Sequence, residues 1–260
     1  MKRLDPVLLG SRANPRFKHL RAALAVSASK RRFTVLLGEK LVAEWFASKP
    51  LAGSRLLPVR WLRLEGHRTH PLERELPLET WELSESLMKD IADSASPPPL
   101  SLVVELTPEP EGSMADRVVV PWGIQEPGNL GAILRSAAAF GFGEALLGPG
   151  CADPFSPKAL RGSMGAAFIM PLRRLSEEHF GSGRWVALDN GRGATPIESV
   201  DLRCPLRLMV GNEGHGWRGA DLPEHCVRAS IPTTGVESLN AAVAVGVACF
   251  EMERRLKGQT

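Results

Sequence analysis

The chain has four cysteines in 260 residues, and no two of them form a Cys-x-x-Cys pair. Cys151, Cys204, Cys226 and Cys249 are scattered, so neither a zinc site nor a dithiol redox centre has the spacing it needs. Reduced thiols are the expected state. The six histidines also lack metal-ligand spacing, and no metal is expected. No run approaches the roughly 20 apolar residues of a membrane span. The longest candidate, residues 241–250, is rich in Ala and Gly and reads as a buried helix. The opening residues Met1-Lys2-Arg3-Leu4-Asp5-Pro6 hold no apolar stretch of signal-peptide length, so a cytoplasmic location is expected. Internal repeats and low-complexity tracts are missing too. What remains is an ordinary globular composition, 43% apolar and 23% charged, with room for two modest domains or one large one.

The net charge of +3 is small, but it is unevenly spread. Residues 1–32 carry Lys2, Arg3, Arg12, Arg16, Lys18, Arg21, Lys30, Arg31 and Arg32 against Asp5 alone, whereas residues 33–111 are net acidic. A basic N-terminal segment on a near-neutral body suggests a polyanion contact; a solvated helix face is the plainer alternative.

Asn14-Pro15 opens a helical pattern in which apolar residues recur at Phe17, Leu20, Leu24 and Ala28. Residues 33–37 have strand composition and end at Gly38, and 39–47 return to helical spacing. The alternation runs to a strand at 100–106. Residues 107–115, with Pro108, Pro110 and Gly112, read as a linker between a first domain, 1–106, and a second, 116–260. From Arg117 onward strands and helices alternate to the end, which predicts an α/β domain with a largely parallel sheet.

Three segments of that second domain mix Gly or Pro with a few polar side chains. Residues 127–135 follow a strand at 117–122 and a turn at 125–128, with Asn129 expected as helix N-cap. Leu130, Ile133, Leu134, Ala137 and Ala138 form the apolar face, and Arg135 lies off it. In residues 210–216, Val210-Gly211-Asn212-Glu213-Gly214-His215-Gly216, three glycines follow a buried strand, so the backbone can approach a ligand. This loop is neither a P-loop nor a G-x-G-x-x-G motif. In residues 231–240 Ile231-Pro232 ends a strand, Ser238 is the expected N-cap of the last helix, and Leu239-Asn240 lead into it. Each segment alone has a structural explanation as a cap or a glycine turn. Together they line up at strand ends, where open α/β sheets bind ligands.

In order and spacing the three segments resemble the motifs of the SpoU/TrmH branch of the SPOUT RNA methyltransferases. Residues 152–166, with Asp153, Lys158, Arg161 and Gly165, resemble what this family carries after its first motif. The N-terminal half resembles, less closely, the family's L30e-like RNA-binding accessory domain, through Asn14-Pro15, Lys18, Arg31-Arg32-Phe33 and Gly38-Glu39-Lys40; Leu37 stands where the family often has Glu.

The resemblance implies a methyltransferase domain with a deep trefoil knot behind a smaller L30e-like α/β domain. It also implies a homodimer and methyl transfer from S-adenosylmethionine to a ribose 2′-hydroxyl of RNA. Ribosomal RNA is favoured over tRNA, and a non-catalytic RNA-binding protein is the alternative. The family pattern maps functional side chains onto Asn129, Arg135, Glu213, Ser238 and Asn240. The cofactor would lie against Val210, Gly211, Gly214, Ile231, Pro232 and Leu239. RNA would meet Arg12, Arg16, Lys18, Arg31, Arg32, Lys158 and Arg161. Arg135 is often assigned as base in this family, but a guanidinium stays protonated, so a phosphate contact or stabilisation of alkoxide charge suits it better. It would serve its own subunit's site or that of the second copy. A further stretch, Leu188-Asp189-Asn190-Gly191-Arg192-Gly193, resembles the glycine loop of Rossmann-type methyltransferases. It stands too late in the chain for that fold and is followed by Pro196, so it is set aside as a chance pattern.

Overall fold

The computed structural model describes residues 5–48, 56–109, 112, 114–181, 183–212, 217 and 222–257. Its first half holds β1 (Val7–Leu9), α1 (Pro15–Leu24), β2 (Phe33–Leu37), α2 (Glu39–Ser48), β3 (Leu56–Leu64), α3 (Pro71–Glu75), β4 (Thr80–Leu83), α4 (Glu85–Ala92) and β5 (Leu100–Leu106). These strands form a mixed five-stranded sheet in the order β1-β4-β3-β5-β2. As expected, α1 opens at Asn14, whose side-chain oxygen accepts from Arg16 N at 2.9 Å, and Pro15 occupies the first turn. The helix closes at Leu24, earlier than the apolar spacing predicts: Ala28 belongs to a separate 3₁₀ turn, 28–30.

The second half holds β6 (Arg117–Pro121), α5 (Pro127–Ala139), β7 (Glu144–Leu147), α6 (Pro157–Ser163), α7 (Ala166–Ile169), β8 (Leu172–Arg174), β9 (Arg184–Leu188), β10 (Thr195–Pro196), β11 (Leu206–Val210), β12 (Val227–Ser230) and α8 (Ala241–Lys257). Seven strands form one sheet in the order β10-β12-β9-β11-β6-β7-β8, and neighbours run parallel throughout. Sequence and layering agree here. A parallel sheet is covered on both faces, so its strands read as continuous apolar runs, and every residue of β11 is buried. Val119, Val186, Leu208 and Val210 pack under α5 and α8. Their neighbours Val118, Val120, Trp185 and Met209 pack on the opposite face with Trp217. The order also carries a topological fact. β9 and β10 are consecutive in the chain, yet β12, from much later, lies between them.

The two halves share a core. Leu36, Val42, Trp45 and Leu102 of the first belong to the same buried cluster as Leu160, Ala167 and Phe168 of the second. Thr34 Oγ1 donates to Phe155 O at 2.6 Å in a buried setting, and Arg31 forms an ion pair with Asp153 in which both side chains are only 12% exposed. The segment read as a linker is tied down where it is described. Arg173 Nη1 donates to Gly112 O at 2.9 Å, and the buried Glu144 accepts from Ala115 N at 3.0 Å while pairing with Arg173.

Candidate active site

A pocket of about 610 Å³ opens at the C-terminal ends of β9, β11 and β12, the edge where open α/β sheets place ligands. Its walls include Val210 and Gly211 from the second motif and Ile231, Ser238 and Leu239 from the third. Five residues expected at the site are thus gathered round one cavity. Pro232 is exposed and does not line it. Glu213 and Gly214 lie outside the described residues.

The first motif starts its helix earlier than expected. Pro127 takes the first helical position and Glu126 is the cap, its carboxylate accepting from Asn129 N at 2.6 Å. The Lys158 ammonium at 2.5 Å and then the Gly128 backbone N–H hold the Glu126 carboxyl below its usual range. Asn129 is therefore not the N-cap. Its side chain turns instead to the third motif, where Asn129 Oδ1 accepts from Asn240 Nδ2 at 3.3 Å.

The third motif is corrected in the same way. Ser238 is exposed and precedes the helix. Asn240 caps α8, its Oδ1 accepting from Ala242 N at 3.0 Å and Val243 N at 3.4 Å. One asparagine thus ends the loop, starts the helix and links two motifs, because its amide carries an acceptor and a donor on one planar group.

Packing explains the glycines of the first motif. A Cβ built on Gly131 would fall 2.4 Å from Ala159 O, and one on Gly162 would fall 3.0 Å from Gly128 O. Helices α5 and α6 therefore cross at backbone contact. That crossing is why the segment after the first motif, capped by Ser156, belongs with it. Arg135 projects from α5 into solvent, outside the pocket lining. Among the described residues it has no ion-pair partner. The second motif is anchored where it is described: Asn212 Nδ2 donates to Gly123 O at 3.0 Å.

The loop set aside as a chance pattern forms a wall of this pocket. Leu188, Asp189, Asn190 and Gly191 all line it. Asp189 accepts from Gly191 N at 3.0 Å and pairs with Arg228 at 3.2 Å, and Trp217 Nε1 closes the floor by donating to Leu188 O at 2.8 Å. Its own signal was an Asx-type turn directly after a strand. That signal would have pointed to a strand-end loop without any Rossmann comparison.

Of the residues expected to meet RNA, Arg12, Arg16, Arg32 and Lys158 are exposed but ion-paired, with Asp90, Glu79, Glu105 and Glu126 respectively. The Asp90 hydrogen bond raises the Arg12 guanidinium, and the same bond lowers Asp90. Exposed pairs of this kind are worth about 0–1 kcal/mol, so a phosphate can displace the carboxylate. Lys18 and Arg161 are exposed without an ion pair among the described residues. Arg31 differs. It is largely buried, pairs with Asp153 and donates to Leu24 O at 3.0 Å, so it holds the two halves together instead of facing RNA. Among the described residues no cluster of three His, Cys, Asp or Glu side chains is arranged to hold a metal, and no helix is long and apolar enough to cross a membrane.

Known proteins resemble this chain in sequence and in fold. The family model described as SpoU rRNA Methylase matches residues 116–250. The 23S rRNA (guanosine(2553)-2'-O)-methyltransferase RlmP of Bacillus subtilis is 29% identical over 233 residues, covering 86% of this chain and 90% of that protein. The 23S rRNA (guanosine-2'-O-)-methyltransferase RlmB of Xylella fastidiosa (strain 9a5c) is 34% identical over 190 residues, 70% of this chain and 68% of that one. The crystal structure of an AdoMet-bound rRNA methyltransferase from Sinorhizobium meliloti superposes with a TM-score of 0.76 at 26% identity, covering 96% of this chain and 98% of that one. The family model spans just over half of the chain, and the chain belongs to the SpoU rRNA methylase family.

Proposed function

We propose that this chain transfers a methyl group from S-adenosylmethionine to a ribose 2′-hydroxyl of ribosomal RNA. The observation that carries the proposal is the strand-end pocket walled by the second and third motifs, with the first motif joined to it through Asn129 and Asn240. The pocket suits the cofactor. Its volume falls in the range of small-molecule sites, and its apolar walls alternate with peptide and side-chain polar groups, as a flat adenine joined to a ribose and a zwitterionic tail requires. Val210, Gly211, Ile231 and Leu239 would hold it, with Pro232 next to Ile231 in the chain; Gly214 is assigned to the cofactor from its motif. S-adenosylmethionine supplies the methyl group, made electrophilic by its sulfonium.

The protein has to orient a weakly nucleophilic hydroxyl and help its proton leave. We assign Ser238 and Asn240 to holding that hydroxyl or the cofactor beside it, and Glu213 to orienting Arg135 or Asn240. A guanidinium is a hydrogen-bond donor with no acceptor to serve as a base, so the role of Arg135 is to bind the target phosphate or stabilise charge developing on the ribose oxygen. Arg135→Ala is expected to lose methyl transfer to rRNA while cofactor binding, measured by calorimetry, persists. Normal turnover in that variant overturns the assignment.

Several finer features belong to the same proposal. β12 lying between the consecutive strands β9 and β10 supports a chain threaded into the trefoil knot. The first sheet, built within residues 1–106, supports an L30e-like RNA-binding unit joined through 107–115 to a methyltransferase unit, 116–260. On α8, Val243, Val247 and Phe250 are 51%, 38% and 57% exposed, and Phe140 meets Phe250 edge-on at 6.4 Å. An apolar stripe at this spacing supports a homodimer in which a second copy covers α8. The relatives named as 23S rRNA enzymes favour ribosomal RNA over tRNA as target, and a cytoplasmic location belongs to the same proposal.

A further inference from the structure

The loop between β9 and β10, residues 189–194, crosses the end of β12, because β12 pairs with β9 on one side and β10 on the other. It is held firmly at its base. Asp189 N donates to Ala229 O at 2.8 Å, the Asp189 carboxylate accepts from Gly191 N at 3.0 Å and pairs with Arg228 of β12 at 3.2 Å, and Ala194 N donates to Gly191 O at 3.2 Å. From this braced turn the Asn190 side chain reaches across the pocket, and its Nδ2 donates to Glu237 O at 2.7 Å. Glu237 immediately precedes Ser238, Leu239 and Asn240. The far end of that tripeptide is fixed at Asn240 by α8 and Asn129. Earlier in the loop, Thr233 Oγ1 donates to Val236 O at 2.9 Å, a contact internal to the loop that does not attach it to the sheet.

We propose that Asn190 is a positioning residue for the third motif: its amide latches the Glu237 carbonyl and so sets where Ser238 and Leu239 stand at the pocket. This inference rests on the methyltransferase reading for its functional consequence, but the latch itself does not depend on that reading. Without the bond, the loop that carries the pocket wall is still anchored at Asn240, through α8 and Asn129. With it, the wall is held at both ends of the functional tripeptide, and a ligand does not have to order it on binding. The residue type is specific. A planar amide of this length presents a donor to a peptide carbonyl. Aspartate has the same shape but presents only acceptors, so it repels that carbonyl.

Asn190→Ala and Asn190→Asp test the latch through two readouts on the full chain. The first is amide hydrogen exchange of residues 236–240 in the cofactor-free protein. The second is the affinity for S-adenosylhomocysteine by calorimetry. A hydrogen bond to a peptide carbonyl corresponds to about threefold on replacement by Ala and about tenfold with the repulsive Asp. Exchange at 236–240 should accelerate, and the dissociation constant rise, in that order. The midpoint of global unfolding should move by less than about 4 °C, because the bond lies at the surface. A general structural fault would lower that midpoint together with exchange protection throughout the sheet. Unchanged exchange at 236–240 in both variants, or a loss of protection spread evenly over the domain, overturns the latch. If exchange accelerates locally while the wild-type protein fails to bind S-adenosylhomocysteine, the latch stands and the cofactor reading falls.

Discussion

Replacing Gly131 by alanine probes how the site is built. In a helix interior alanine is better than glycine by about 1 kcal/mol, so helix propensity alone predicts a more stable protein. The packing predicts the reverse. The new Cβ would fall 2.4 Å from Ala159 O, 2.8 Å from Ser163 N and 2.9 Å from the carbonyl carbon of Gly162. Carbon contacts settle at roughly 3.5 Å, so α6 has to withdraw by about 1 Å. All three neighbours are backbone, so no rotamer change relieves the clash, and overpacking belongs at the upper end of its usual range of about 1–3 kcal/mol. The net expectation is a loss of about 2 kcal/mol, or about 1 M in the urea midpoint. Gly246 in α8 is the control. Within one subunit a Cβ there meets only Ser136 Oγ, at 3.9 Å, so at concentrations where the chain is monomeric Gly246→Ala should be neutral or stabilising by up to about 1 kcal/mol. Urea unfolding of both variants decides the matter. If Gly131→Ala is as stable as the parent, or the two variants shift the same way, the backbone-contact crossing of α5 and α6 is wrong. Because α5 also carries Asn129, the Gly131 variant should lose methyl transfer even where it remains folded.

Other expectations follow from single contacts. Arg31→Ala removes the largely buried pair with Asp153 and should cost about 2 kcal/mol in urea unfolding while leaving RNA affinity intact; Lys18→Ala should do the opposite, weakening RNA binding in filter assays and flattening its salt dependence. Arg255 donates to Val200 O at 2.8 Å and Ile197 O at 2.5 Å and pairs with Glu251. Arg255→Ala should cost about 1–3 kcal/mol through the stranded carbonyls, and the Glu251 carboxyl, held down to about 2 chiefly by Arg254 and then Arg255, should titrate higher by NMR. Burial pushes the Cys226 thiol up to about 11 and Cys249 up to about 12, from a usual value of 9.0. The unfolded thiols ionise first, so their contribution to stability is full below pH 9 and is lost as pH rises toward 12. Urea unfolding on either side of that window should show the decline, and iodoacetamide at neutral pH should label the exposed Cys204 well before Cys249.

The elements and the motif positions could be read from residues because they depend on local chemistry. Apolar runs predicted strands at 33–37 and 100–106, and Pro and Gly marked where they end. The caps were missed by two or three residues for one reason. Asn129 and Ser238 are good capping types, but Pro127 started α5 early enough for Glu126 to take the cap, and Asn240 stood closer to α8. Arg31 looked like the other N-terminal cations until the fold set it against Asp153, 122 residues away. The loop at 188–193 could be read locally as a strand-end turn, but not as the wall of this pocket. Its meaning depends on β12 lying between β9 and β10, and no local signal specifies that insertion.

The central claim is methylation of a ribose 2′-hydroxyl in ribosomal RNA, and nucleoside mass spectrometry of ribosomal RNA from cells with and without the gene tests it most directly. The account predicts that one 2′-O-methylated nucleoside, mapping to a single position, disappears without the gene and returns with the wild-type chain but not with Arg135→Ala. An unchanged set of methylated riboses in ribosomal RNA, or a loss confined to tRNA, would contradict it.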